Sequence, residues 1–80
     1  MSRAGVIEGY PDLIVCNEKN FRIVIYIDRQ LKDGTVLYSG GGGGVLKVDK
    51  NGVLDRPNTD CHGKTIEELR KKGQTLDFND

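Results

Sequence analysis

The run Phe21-Arg22-Ile23-Val24-Ile25-Tyr26-Ile27-Asp28 constrains this chain more than any other segment. Phe21, Ile23, Ile25 and Ile27 recur at period two, which sets four large apolar side chains on one face of an extended strand. β-branched residues dominate the run, which suits a pleated surface. The opposite face carries Arg22, Val24, Tyr26 and Asp28, a mixture of apolar and charged groups. A strand wholly apolar on one side belongs in the middle of a sheet with one covered face.

Turn signals on both sides extend this strand into a meander. Pro11 and Asp12 open a first strand, Leu13 to Cys16, and Asn17-Glu18-Lys19-Asn20 reads as a turn. Lys32-Asp33-Gly34 predicts a tight turn, since glycine supplies a positive φ, and Thr35 to Ser39 returns as a strand. Val45 to Val48 is a further strand. Asp49-Lys50-Asn51-Gly52 predicts a hairpin with a glycine bulge that would place Val48 opposite Val53. Val53 to Asp55 is its short return.

After a loop over residues 56–64, Thr65 and Glu68 have capping-box spacing and predict a helix from Thr65 to Lys72. Glu67 and Glu68 sit at its positive end and Arg70, Lys71 and Lys72 at its negative end, with Gly73 as a natural terminator. Two turns cannot stand alone in water, so Ile66 and Leu69 must dock the helix onto the isoleucine face. Leu76 and Phe78 alternate as a short edge strand would. The expected fold class is therefore α+β: an antiparallel β-meander of four to five strands with one short C-terminal helix packed on one face. The expected core is Leu13, Val15, Phe21, Ile23, Ile25, Ile27, Val36 or Leu37, Leu46, Val48, Ile66 and Leu69.

Size and charge narrow the function classes. The 80 residues make a single domain, 1–80, with no room for a cleft between lobes. Lys plus Arg is 12 and Asp plus Glu is 12, so the formal net charge is zero. A nucleic-acid domain shows a basic stripe. The one basic cluster here, Arg70 to Lys72, adjoins Glu67 and Glu68 and reads as a solvated helix face. An RNA-stacking sheet would need more aromatic residues than these strands carry. No apolar run approaches the roughly 18–20 residues that span a bilayer, and the N-terminus lacks a signal-peptide core. Two cysteines allow one disulfide, but small secreted domains usually carry more. Cys16 and Cys61 are therefore expected as thiols in a reducing, cytoplasmic compartment.

Four segments are candidates for chemistry. Gly40 to Gly44 is the most unusual, and Gly41, Gly42 and Gly43 could wrap an anion with their N–H groups. No Lys-Ser/Thr pair and no helix follow, so neither nucleotide fingerprint applies, and a flexible connection or a loop ordered by a partner fits better. The segment Asp60-Cys61-His62-Gly63-Lys64-Thr65 gathers a carboxylate, a thiol, an imidazole and an ammonium before a helix. A small hydrolase or nuclease could use Asp60, Cys61 and His62 with Lys64 holding an anion. Adjacent loop residues seldom face one another, however, and position 58 is asparagine where a phosphate loop needs its first glycine. Cys16, Cys61, His62 and Asp60 lack the paired spacing of a zinc site, so no metal and no cofactor is assigned.

The fourth candidate is the mixed sheet face: Arg22, Tyr26 and Asp28, with Tyr38 nearby. Tyrosine and arginine anchor binding surfaces. The expected function is a non-enzymatic protein-binding or regulatory module that presents a sheet face or an edge strand. Its partner would be another protein or a second copy of itself. The loop hydrolase and a self-associating structural subunit are the competing classes.

Overall fold

A computed structural model describes residues 7, 9–40 and 44–78. The described residues form a curled antiparallel sheet of six strands and one short helix. The elements are β1 (Leu13–Glu18), β2 (Phe21–Gln30), β3 (Val36–Gly40), β4 (Gly44–Val48), β5 (Leu54–Asp55), α1 (Ile66–Lys71) and β6 (Thr75–Leu76). The sheet order β5-β4-β3-β2-β1-β6 makes the first five strands a meander, and β6 returns to the far side of β1. The sheet thus holds one strand more than the four to five expected.

Local chemistry accounts for the turns. At Gly34, φ is +97°, and the Asp33 carboxylate accepts the N–H of Thr35 at 2.9 Å. Asp49 Oδ1 accepts the N–H groups of both Asn51 and Val53 while Gly52 takes φ +83°. That grip draws Asp49 into the hairpin, so Val48 pairs with Leu54 and not with Val53. The helix begins as expected. Thr65 accepts from the Glu68 N–H at 3.1 Å, and Glu68 Oε1 accepts from the Thr65 N–H at 3.0 Å. Those bonds hold the Glu68 carboxyl below its ordinary pKa, led by the backbone bond from Thr65.

β6 depends on Asp12, which is buried. Its N–H donates to the Leu76 carbonyl at 3.1 Å and its carboxylate accepts from the Phe78 N–H at 2.6 Å. This clasp fixes the C-terminal segment along β1.

Ile66 and Leu69 enter a core with Ile14, Cys16, Ile25, Val36, Tyr38, Leu46, Val48, Leu54 and Cys61, against which Ile23 and Ile27 pack. Three expected core positions differ. β1 buries Ile14 and Cys16, and Leu13 and Val15 take the other face. Phe21 pairs with Glu18 at the tip of the β1–β2 hairpin, beyond the roofed region, and is 68% exposed. Tyr38 does not share the face of Tyr26. It pairs with Ile27, lies fully buried, and its hydroxyl donates to the Pro11 carbonyl at 2.6 Å. Burial pushes the Tyr38 hydroxyl well above the ordinary tyrosine pKa.

The cysteines are a further correction. Cys16 and Cys61 are not thiols but a fully buried disulfide joining β1 to the 56–64 loop across 45 residues. The premise for a reducing compartment falls with them. Among the described residues no helix is long and apolar enough to cross a membrane.

Gly40 and Gly44 pair across the β3–β4 hairpin, while Gly41, Gly42 and Gly43 lie outside the described residues. A Cβ on Gly40 would collide with the Val24 carbonyl and crowd the Ile25 Cα, both backbone. A Cβ on Gly44 would meet only the Arg56 guanidinium, the end of a flexible side chain. Gly40→Ala is therefore expected to cost about 1–3 kcal/mol, in the range of overpacked interiors, and Gly44→Ala less. Urea unfolding of the two variants checks that order.

Candidate functional site

The curled sheet has two faces and two edges, and hydrogen bonds engage β5 at one edge and the part of β1 that runs beyond β6 at the other. Along the outer side of β1, Val15 donates its N–H to the Gln74 carbonyl at 2.8 Å and accepts from Gln74 Nε2 at 2.8 Å. Two residues on, Asn17 donates its N–H to Asp60 Oδ1 at 2.7 Å and accepts the Asp60 N–H at 3.0 Å. At the other edge, Leu54 of β5 donates to the Lys64 carbonyl at 2.8 Å and accepts from the Gly63 N–H at 2.9 Å. The 56–64 loop therefore bonds to β1 at Asn17 and to β5 at Leu54, pinned by the disulfide. An open edge is the template for strand addition, and Val15, Asn17 and Leu54 offer none, their backbone groups being engaged.

That anchoring engages each residue of the candidate catalytic loop. Asp60 Oδ2 also accepts from Asn17 Nδ2 at 2.9 Å and from Gln74 Nε2 at 3.4 Å. Partial burial acts to raise the Asp60 pKa, but the bonds from Asn17 and Gln74 outweigh it and hold the carboxyl below its ordinary value. Cys61 is bonded to Cys16 and has no thiol to ionise in this state. His62 Nδ1 accepts the Arg56 N–H at 3.1 Å and lies 3.5 Å from Asp55 Oδ1. A neutral imidazole that accepts at Nδ1 carries its proton on Nε2. His62, Asp55, Lys47, Asp49 and Thr35 line a shallow concavity of about 410 Å³. Lys64 is half-buried, and its carbonyl serves the β5 edge. Among the described residues no group of three metal-binding side chains comes together.

The inner face is filled by the core, so the outer face is what the fold leaves to solvent. Register builds it row by row. Leu76, Leu13, Tyr26, Ser39 and Val45 lie side by side across five strands. Val15 and Val24 pair in the next row, and Arg22 stands opposite Asn17 beyond them. Tyr26 is 49% exposed, Val45 52%, Leu76 53% and Phe78 42%. The Phe78 ring lies 6.4 Å from that of Tyr26 in a tilted arrangement, within the range of favourable ring pairs. Of the expected face residues, Arg22 and Tyr26 belong here, Tyr38 does not, and Asp28 occupies the point where the β2–β3 register shifts.

Sequence reading missed Leu13, Val15, Val45 and Leu76 as members of this face. For Val45 and Leu76, alternation with the buried Leu46 and with Thr75 was the available signal. For Leu13 and Val15 there was none, because Leu13-Ile14-Val15-Cys16 is apolar throughout. Comparison with protein-family models, curated proteins and solved structures returns no match to the chain, so a function must be argued from its own residues.

Proposed function

We propose that this protein is a non-enzymatic binding module and that the outer sheet face centred on Tyr26 is its contact surface. The observation that carries the reading is the cross-strand row Leu76–Leu13–Tyr26–Ser39–Val45, apolar at four of its five positions and extended by Phe78. A one-layer sheet ordinarily buries both faces or meets water with a polar one. Here the solvent side keeps large apolar groups together, which marks an interaction site more often than chance exposure. Tyrosine and phenylalanine bring large contact area with little side-chain entropy to lose.

The engaged backbone of Leu54 on β5 and of Val15 and Asn17 on β1 favours the face over strand addition at those positions. The hydrolase alternative gains no support from Asp60, Cys61 and His62 Nδ1, which are engaged within the fold by Asn17, Cys16 and the Arg56 N–H.

Affinity capture from native lysate with the wild type, Tyr26→Glu and His62→Ala tests the reading. A partner retained by the wild type and by His62→Ala, and lost by at least tenfold with Tyr26→Glu, is the expected result. Recovery that depends on His62 and ignores Tyr26 would overturn it. Tyr26 is half-exposed, so Tyr26→Glu is expected to keep its circular dichroism spectrum.

A further inference from the structure

We propose that the concavity at the tip of the β1–β2 hairpin is a saccharide site that stacks a neutral pyranose ring on Phe21. It is a second binding site, distinct from the Tyr26 face.

Register places it. Two residues beyond the Cys16–Ile23 pair, Glu18 stands opposite Phe21 on the same side of the sheet. That is the inner side, where Ile25 is buried, but the core stops short of this end and Phe21 is 68% exposed. Glu18, Lys19, Asn20, Phe21 and Asn58 line a shallow concavity of about 520 Å³. Small-molecule sites run from about 300 to 1,000 Å³. The two walls come from distant segments that are fixed to each other. Glu18 bridges Thr59, the neighbour of Asn58, and the disulfide joins Cys16 to Cys61. Asn17 and Asp60 exchange backbone and side-chain bonds between the same two segments. A site held in shape beforehand loses little entropy when it takes a ligand.

Asn58 supplies an independent observation. Its φ is +71°, and every other positive φ among the described residues belongs to a glycine. Glycine meets such an angle without a Cβ penalty. Position 58 carries a side-chain amide instead, and among the described residues neither that amide nor the amide of Asn20 has a hydrogen-bond partner. The backbone alone would be better served by glycine, so the amide is the feature that needs a reason. A ligand in the concavity provides one.

The lining selects the ligand's chemistry. The Phe21 ring is an apolar plate for the C–H face of a flat molecule. Each asparagine amide offers a donor and an acceptor together, which matches neighbouring hydroxyls. Glu18 adds an acceptor and Lys19 a donor, and their opposite charges leave the walls with no net sign. A nucleotide would bring its phosphates against Glu18 with a single lysine to offset them. A neutral ring with an apolar face and a hydroxylated edge is a pyranose.

Amide spectra of the isotopically labelled full chain, titrated with the methyl glycosides of glucose, galactose, mannose and N-acetylglucosamine, test the proposal. Adenine serves as a flat non-sugar control. Saturable shifts at Glu18 to Phe21 and at Asn58 with at least one glycoside are the expected result. Phe21→Ala and Asn58→Gly should each weaken that binding at least tenfold. Glycine suits the angle at position 58, so Asn58→Gly should melt no lower than the wild type and its lost binding cannot be ascribed to unfolding. Tyr26→Glu should bind the glycoside as the wild type does, which separates this site from the face proposed above. Absence of saturable shifts at these residues with every glycoside overturns the proposal. So does a response to adenine alone, or undiminished glycoside binding in Phe21→Ala or Asn58→Gly.

Discussion

Replacing both cysteines, Cys16→Ala with Cys61→Ala, is expected to lower the stability of this protein by about 4 kcal/mol. The figure follows from the chain entropy that a crosslink over 45 residues removes from the unfolded ensemble. A domain of 80 residues has a total stability of about 4–12 kcal/mol, so the loss is a third of it or more. At roughly 4–8 °C of Tm for each kcal/mol in a chain this short, the melting point should fall by roughly 15–30 °C. The loss should be felt first in the 56–64 loop, which the disulfide ties to β1. Asn17, Gln74 and Leu54 would then lose partners at the sheet edges. Thermal unfolding of the wild type with and without reductant gives the same comparison without mutation. A shift of only a few degrees would show that hydrogen bonds such as those of Asp60 hold the loop unaided.

Raising the pH above 10 is expected to destabilise the fold through Tyr38. In the folded protein its hydroxyl is buried and donates to the Pro11 carbonyl, and desolvation holds the proton on well above the ordinary value of 10. In the unfolded chain the same hydroxyl ionises near 10. Below that pH both states keep the proton and stability is unaffected by this group. Above it the unfolded state has lost a proton that the folded state retains. Stability then falls by about 1.4 kcal/mol for each further pH unit, until the folded value is reached. Tyr38→Phe should remove this contribution and flatten the alkaline limb. At neutral pH it should cost about 1–3 kcal/mol, because the buried Pro11 carbonyl loses its donor. Urea midpoints for wild type and Tyr38→Phe between pH 8 and 12 measure both effects. Parallel alkaline limbs would contradict the assignment.

What could be read from the sequence was what short-range chemistry decides. The capping box of Thr65 and Glu68, the turns at Gly34 and Gly52, and the strand through Ile23, Ile25 and Ile27 each have their cause within a few residues. The phase of β1 does not. In an unbroken apolar run, which residues turn inward is set by pairing, Leu13 with Tyr26 and Cys16 with Ile23, and by the bond from Cys16 to Cys61. β6 is held by Asp12, more than 60 residues away in sequence. Tyr38 is inward because its hydroxyl finds the Pro11 carbonyl across 27 residues, a partner no local pattern announces. Asp60 and Cys61 likewise take partners far away in sequence, Asn17 and Cys16, that no local pattern announces.

The same long-range pairing assembled the surface on which the functional account stands. Leu76, Leu13, Tyr26 and Val45 come from four strands spread over the chain and meet only in the folded sheet. Two-dimensional amide spectra of the chain alone and with the partner recovered by wild-type capture follow that surface residue by residue. Shifts on adding the partner confined to Leu13, Val15, Val24, Tyr26, Val45 and the segment from Leu76 to Phe78 are the expected result. Shifts centred on the 56–64 loop, with the Tyr26 row unmoved, would contradict the account.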